Sequence, residues 1–262
     1  MVAFTSLQRD HIIESVQMMY TEVATKPEKV FHFPTGRPAC EYVGYSASDL
    51  DAIPATAVES FSGVGYPFAV GAIKPGNTVL DIGSGSGTDV LISTLRAGTK
   101  GKVFGLDMTT AMLNKLQANI KKADVSNIEL ITGEAEDIPL LDASIDVVTS
   151  NGVLNLVLNK KRAFKEIFRV LRPGGRVQIA DIVVSQEISI EWRQNPKLWA
   201  ECIVGAMERE DYLELFRAIG FKNVAALNKL DYFSASVSRE TREIAASLGA
   251  HSMVMQATKP VL

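Results

Sequence analysis

The residues best suited to chemistry stand together in the run Val79-Leu-Asp-Ile-Gly-Ser-Gly-Ser-Gly-Thr-Asp89. A short apolar β run, Thr78-Val79-Leu80, follows the turn residues Lys74-Pro75-Gly76-Asn77. It leads into an acid, Asp81, and opens into glycines at 83, 85 and 87. A helix-compatible segment, Thr88 to Ala97, comes next. Glycine lets a backbone approach a ligand closely, and a helix start presents unpaired N–H groups, so this arrangement predicts a site for a polar or anionic ligand. Spacing narrows the choice. The dinucleotide fingerprint G-x-G-x-x-G fails on its third glycine, which would be Thr88 counted from Gly83 or Val90 counted from Gly85. A phosphate loop fails too, because no Gly-Lys-Ser/Thr follows. A plain glycine turn between strand and helix is the competing reading.

A second acid arrives twenty-four residues after Gly83. Lys102-Val-Phe-Gly-Leu-Asp107 is another short apolar strand ending in a carboxylate. In nucleotide-binding α/β folds an acid at the end of the second strand accepts the ribose hydroxyls. Asp107 fits that role, with Met108 placed along a base face. The competing reading makes Asp107 a solvated strand end, with Thr109 or Thr110 capping the next helix.

The elements that must position these residues alternate regularly from residue 77. Helix patterns cover Thr110–Ala123 (Leu113, Leu116, Ile120) and Lys160–Leu171 (Phe164, Ile167, Phe168, Leu171), the latter stopped by Arg172-Pro173-Gly174-Gly175. Strand patterns cover Glu129–Thr132, Ile145–Ser150 and Val177–Val184. Further on, Glu210–Ala218 and Arg239–Leu248 read as helices, Lys222–Phe233 as extended and His251–Thr258 as a last strand. This rhythm predicts an α/β fold: a Rossmann-like, seven-stranded, mostly parallel sheet with helices on both faces. Ligands bind such sheets outside the carboxyl ends of the strands. Gly83–Gly87, Asp107, Glu134–Asp137 and Asn151 all fall at predicted carboxyl ends, so four loops point at one crevice.

An N-terminal helical and loop cover precedes the alternation, over residues 1–75. Residues 6–24 place Ile12, Val16, Met19, Tyr20 and Val23 on one helix face, and 25–75 are punctuated by proline and glycine between short apolar stretches. Residues 76–262 form the second unit, with an insertion at about 185–207 that carries Trp192, Trp199 and Cys202. Net charge is −3 over 262 residues, which gives no broad nucleic-acid footprint. No apolar run reaches membrane-spanning length, and the start lacks a secretory pattern. Two distant cysteines, Cys40 and Cys202, fit a reducing cytoplasm, and the three histidines share no metal-ligand spacing.

G-x-G-x-G after an acid-terminated strand resembles the first motif of S-adenosylmethionine (SAM)-dependent methyltransferases. Further stretches extend the likeness: Gly44-Tyr45-Ser46, Gly105-Leu-Asp-Met-Thr109, Ser150-Asn-Gly-Val-Leu-Asn-Leu156, Arg169-Val-Leu-Arg-Pro-Gly-Gly175 and Leu198-Trp-Ala-Glu-Cys202. From about Val43 to Lys259 the chain resembles the arsenite methyltransferase family on the class I fold. The resemblance implies SAM as cofactor and S-adenosylhomocysteine as product. Gly83, Ser84 and Gly85 would face the methionine moiety, with Asp81 supporting its ammonium. Asp107 and Met108 would take ribose and adenine, while Glu134, Ala135 and Glu136 read the adenine edge and Asn151 lies near the transferred methyl. In that family three cysteines bind arsenic. Here Cys202 stands at one position, Gly152 at the second, and Val64 or a neighbour at the third. A soft ion held by three thiolates is not held by one, so arsenic chemistry departs from the pattern.

The acceptor is a small molecule of unassigned identity on this reading. Alternatives are a metalloid acceptor, or a SAM-binding sensor or scaffold without transfer. His32, Arg37, Tyr66 and Cys202 are candidate substrate residues, each with a bland structural alternative. His32, Asp181 and Glu201 are candidates for a general base, should the acceptor need one.

Overall fold

The computed structural model describes residues 5–189, Trp192, Trp199 and 203–261. Helix α1 (Ser6–Thr25) opens with a capping box, in which Thr5 and Gln8 each satisfy the other's backbone N–H. The punctuated stretch behind it folds into three short helices, α2 (Gly36–Tyr42), α3 (Ala47–Asp51) and α4 (Ala55–Val58), and a 3₁₀ turn at Pro67–Val70. Its apolar residues are spent inward: Tyr45, Leu50, Val58, Phe61 and Val64 are buried in one cluster with residues of the sheet's helices and strands.

The sheet is built from β1 (Thr78–Ile82), β2 (Lys102–Asp107), β3 (Ile128–Thr132), β4 (Ile145–Asn151), β5 (Leu171–Val184), β6 (Met207–Glu208), β7 (Lys222–Leu230) and β8 (His251–Thr258). Its order is β3-β2-β1-β4-β5-β8-β7, with β6 beside β5. Neighbours from β3 to β5 are parallel, and β8 runs antiparallel to both β5 and β7. The two-residue β6 is the strand that hydrophobic periodicity has no power to reveal. The helices α5 (Thr88–Ala97), α6 (Thr110–Ala123), α7 (Lys160–Val170), α8 (Arg209–Ile219) and α9 (Arg239–Leu248) flank the sheet among the described residues.

Alternation along the central strands assigns residues to two faces. Val79 of β1 packs with Val90 of α5 and Leu116 and Ile120 of α6, whereas Leu80 and Ile82 pack with Phe164 and Ile167 of α7 and Tyr212 and Phe216 of α8. Strand order reverses between β2 and β4 around β1, which opens a crevice at their carboxyl ends.

The sequence places a turn at 172–175 before a strand at Val177–Val184. In the structure β5 begins earlier, at Leu171, and the same residues are looped out of it. Pairing with β4 passes from Ile145 opposite Leu171 to Val147 opposite Arg176. Lys259 holds this corner, its ammonium donating to the carbonyls of Phe168 (2.7 Å) and Leu171 (2.8 Å) at the end of α7. The stretch read as extended to Phe233 ends at Leu230 and turns into a 3₁₀ helix, Tyr232–Ala235.

Candidate functional site

A cavity occupies the crevice, and all ten residues read as cofactor-binding line it: Asp81, Gly83, Ser84, Gly85, Asp107, Met108, Glu134, Ala135, Glu136 and Asn151. The glycine loop is fastened to the neighbouring strand, since the amides of Gly83 and Ser84 both donate to Leu106 O, at 2.8 and 3.0 Å. Gly83 has φ +75, and a Cβ there would stand 2.1 Å from Val153 Cγ2, so only glycine fits. Gly85, with φ +50, is different: a Cβ there would meet nothing nearer than Gly83 O at 3.9 Å. Ser84 Oγ is buried without a hydrogen-bond partner among the described residues.

Asp107 is held in place by backbone amides. Gly85 N donates to one carboxylate oxygen and Thr109 N to the other, each at 2.8 Å. Burial raises its pKa above the ordinary range despite those hydrogen bonds. Asp81 is buried at the centre of β1 and accepts from the Thr149 hydroxyl of β4. Burial, then the charge of Asp89, holds it well above the usual carboxylate range.

Asp89, on the first turn of α5, is a site residue that sequence reasoning did not select. It lines the cavity, and burial pushes its pKa up to about 6 against hydrogen bonds from Tyr45 and Asn151. The Tyr45 hydroxyl donates to its Oδ1, and Asn151 Nδ2 donates to its Oδ2 at 3.1 Å. Asn151 also accepts at Oδ1 from the amides of Val64 (2.8 Å) and Gly65 (3.1 Å), which ties the cover to β4. Gly63 permits this approach, because a Cβ there would fall 2.5 Å from Asn151 Nδ2.

At the opposite end Glu134 and Glu136 do not face the cavity unpaired. Arg9 of α1 donates to Glu134 (2.6 Å) and to both oxygens of Glu136 (3.0 and 3.1 Å). Gln17 of the same helix donates to Met108 O at 3.1 Å. Helix α1 is therefore a wall of the site, contributing Arg9, Ile12, Ile13, Val16 and Tyr20. Its amphipathic face was legible in the sequence, but which surface it covers was not.

Three substrate candidates do not reach the cavity. Arg37 lies on the surface, bonded to Glu41 (2.8 Å) and Asp51 (2.7 Å), because a charged side chain on a short exposed helix finds its nearest carboxylates first. The Tyr66 hydroxyl donates to Asp49 (3.0 Å) and accepts from Arg96 (2.8 Å), a bridge between the cover and α5. His32 packs edge-on against Phe33, in an apolar neighbourhood under α1. Asp181, a candidate base, is also elsewhere. It is fully buried behind the 152–158 loop, accepting from Asn155 N and the Tyr212 hydroxyl at 2.8 Å each, and burial raises its pKa to about 7. Cys202 and Glu201 lie outside the described residues.

Gly152, at one of the other positions where the arsenite methyltransferase resemblance places cysteines, lies beside Val64, which with its neighbours is the candidate for the remaining one. A Cβ on Gly152 would stand 3.2 Å from Val64 Cγ1, and neither residue carries a thiol. Cys40 is buried in the cover and does not line the cavity, and burial raises its thiol pKa strongly.

A parallel sheet of this order, with a glycine loop after β1 and an acid ending β2, defines an α/β nucleotide-binding fold. Residues 73–220 match the family described as Methyltransferase domain. The chain belongs to that methyltransferase family, and its relatives include arsenite methyltransferases. The arsenite methyltransferase of Halobacterium salinarum is 39% identical over 184 residues, covering 70% of this chain and 47% of that protein. The demethylmenaquinone methyltransferase of Listeria monocytogenes is 36% identical over 122 residues, covering 47% of this chain and 51% of that one. Among solved structures, an arsenic(III) S-adenosylmethionine methyltransferase from Chlamydomonas reinhardtii superposes with a TM-score of 0.64 at 28% identity. It covers 87% of this chain and 75% of the other. The chain spans about half the length of these curated relatives.

Proposed function

We propose that the protein is an S-adenosylmethionine-dependent methyltransferase acting on a small-molecule acceptor and releasing S-adenosylhomocysteine. The carrying observation is the convergence of the glycine loop, Asp107, residues 134–136 and Asn151 on one cavity at the strand carboxyl ends. Two local features fit the cofactor: the open Cβ direction of Gly85, and the buried Ser84 hydroxyl awaiting a partner. Asp107 takes the ribose hydroxyls, with Met108 and Ala135 along the adenine. Asp81, buried and in the field of Asp89, favours a cationic group, which suits an ammonium or a sulfonium.

When bound, SAM supplies a methyl group already activated by its sulfonium. The chain's own task is then to orient the acceptor and exclude water. Helix α1 and the cover between Ser60 and Gly63 close over the cavity for that purpose. We place the cover at residues 1–75 and the methyltransferase unit at 76–262, and read the two cysteines as fitting a reducing, cytoplasmic setting. Among the described residues no helix is long and apolar enough to cross a membrane.

Calorimetry tests this reading. Wild type should bind SAM and its demethylated product, and Asp107→Ala, which removes hydrogen bonds to a charged acceptor, should weaken both about a hundredfold. Absence of heat with either ligand, or an unchanged Asp107→Ala isotherm, would sink it. Methyl-labelled SAM incubated with a metabolite extract then separates transfer from a sensor or scaffold, which would label nothing.

A second reading, arsenite methylation, is favoured by the similarity to the Halobacterium protein. The absence of a thiol at Val64 and Gly152 and the burial of Cys40 weigh against it, because trivalent arsenic needs several accessible thiolates. An arsenite titration that gives binding abolished by Cys202→Ser would restore it.

A further inference from the structure

The end of the cavity away from Glu134 and Glu136 has its own chemistry. Asp89, Asn151, Gly63 and Phe61 meet there, and the cavity as a whole is also lined by Gly152, Val16, Tyr20 and Leu156. Arg9 is the sole arginine or lysine on the lining among the described residues, and both of its glutamate partners already engage it. Among the described residues an anionic acceptor would meet buried carboxylates and no cation beyond the already paired Arg9, an arrangement that disfavours it. An uncharged acceptor meets no such obstacle.

Such an acceptor must lose a proton as it gains a methyl. We infer that Asp89 is the catalytic residue that takes this proton, and that the acceptor is an uncharged aromatic hydroxyl or thiol. The inference rests on the proposed methyltransferase reading. Geometry fixes Asp89 for the role. Tyr45 and Asn151 hold one oxygen each, which orients the carboxylate while leaving each oxygen a second lone pair. Its two donors are themselves anchored, Asn151 by the amides of Val64 and Gly65 of the cover and the Tyr45 hydroxyl by Asn151 Nδ2 at 3.0 Å. Asp89 accepts the acceptor's proton as the acceptor oxygen or sulfur bonds the methyl carbon. The carbon–sulfur bond of the donor breaks, its electron pair stays on sulfur as a neutral thioether, and the proton then passes to solvent.

The charged and titratable groups facing Asp89 are Asp81 on β1, Tyr45 ahead of α3, Cys40 on α2 and Arg96 along α5. Burial raises Asp89 above the usual carboxylate range, which makes it a stronger base than a solvated carboxylate.

The probes are hydroquinone, the permanently anionic 4-hydroxybenzenesulfonate, and 4-nitrophenol. Wild type should methylate hydroquinone and leave the sulfonate untouched. Asp89→Asn should lower kcat on hydroquinone at saturating SAM about a hundredfold or more, well beyond any loss of SAM affinity. A second readout needs no turnover. With S-adenosylhomocysteine bound, 4-nitrophenol in the wild-type cavity should titrate above its free pKa, because an adjacent carboxylate disfavours the phenolate. That shift should vanish in Asp89→Asn, with circular dichroism verifying the fold. Failure of wild type to methylate hydroquinone while SAM still binds overturns the inference and leaves the broader reading standing. Equal turnover of the sulfonate overturns it as well. A parallel loss of SAM affinity in Asp89→Asn would make Asp89 a cofactor anchor rather than a base, and would likewise overturn the inference.

Discussion

Single positions in the glycine loop have separable duties. Gly83 is required by its own protein, since Val153 fills the space a side chain would need, whereas Gly85 is bare toward the cavity. Gly83→Ala should therefore cost about 1–3 kcal/mol of stability in urea unfolding, through overpacking and a strained φ. Gly85→Ala should fold with a smaller loss, about 1 kcal/mol for its left-handed backbone, yet bind SAM markedly more weakly because its methyl enters the ligand's space. Two variants with the same chemistry thus report on different functions of one loop. Tight SAM binding by Gly85→Ala would show that the ligand does not approach there.

At the scale of elements, α1 is a cover fixed at two points, by Arg9 on residues 134 and 136 and by Gln17 on the Met108 carbonyl. Its apolar side packs over α6, with Val23 buried beside Phe31, Phe33 and Met112. The Arg9 contact joins a half-exposed glutamate to a nearly buried one, so its worth lies above that of a surface pair. Arg9→Ala should speed dissociation of SAM about tenfold, equivalent to ~1.4 kcal/mol, as read in a stopped-flow displacement experiment. An unaltered off-rate would mean that the helix stays shut without its clasp. The carboxylates it holds would also gain a free face toward the adenine, so affinity and off-rate need not change together.

Over the whole molecule, burial of acids sets a pH dependence. Asp89 and Asp181 are raised from 3.8 to about 6 and about 7 respectively, and Asp81 is raised as well. A carboxyl that holds its proton more tightly when folded adds stability at low pH and loses it as pH rises through the folded value. Glu166 acts in the opposite sense, since its hydrogen bond from Arg169 lowers its pKa and that contribution is lost in acid. The ligand-free protein should therefore melt at a lower temperature at pH 8 than near pH 5, and Asp89→Asn should flatten the part of the fall that is complete just above about 6. A melting temperature that climbs steadily across that range would contradict the assignment. Bound SAM, bringing positive charge near Asp81 and Asp89, should narrow the difference.

The sequence determined most of the elements from Thr78 onward and the loops that carry the candidate cofactor residues, because each depends on local signals. Apolar periodicity marks strands and helices, glycine marks the turn, and an acid marks the strand end. Helices α5, α6 and α9 and strands β2 and β8 begin and end where the pattern places them. Tertiary structure alone decided which side chains meet across long chain separations. Tyr45 reaches Asp89 from forty-four residues away, and Arg9 reaches Glu136 across 127. It also turned Arg37 and Tyr66 toward nearer charged partners and left Asp181 behind the site. A side chain's partners are fixed by packing in three dimensions, on which a linear pattern is silent. The same packing set Val64 against Gly152, a contact whose positions are visible in the chain but whose proximity is not.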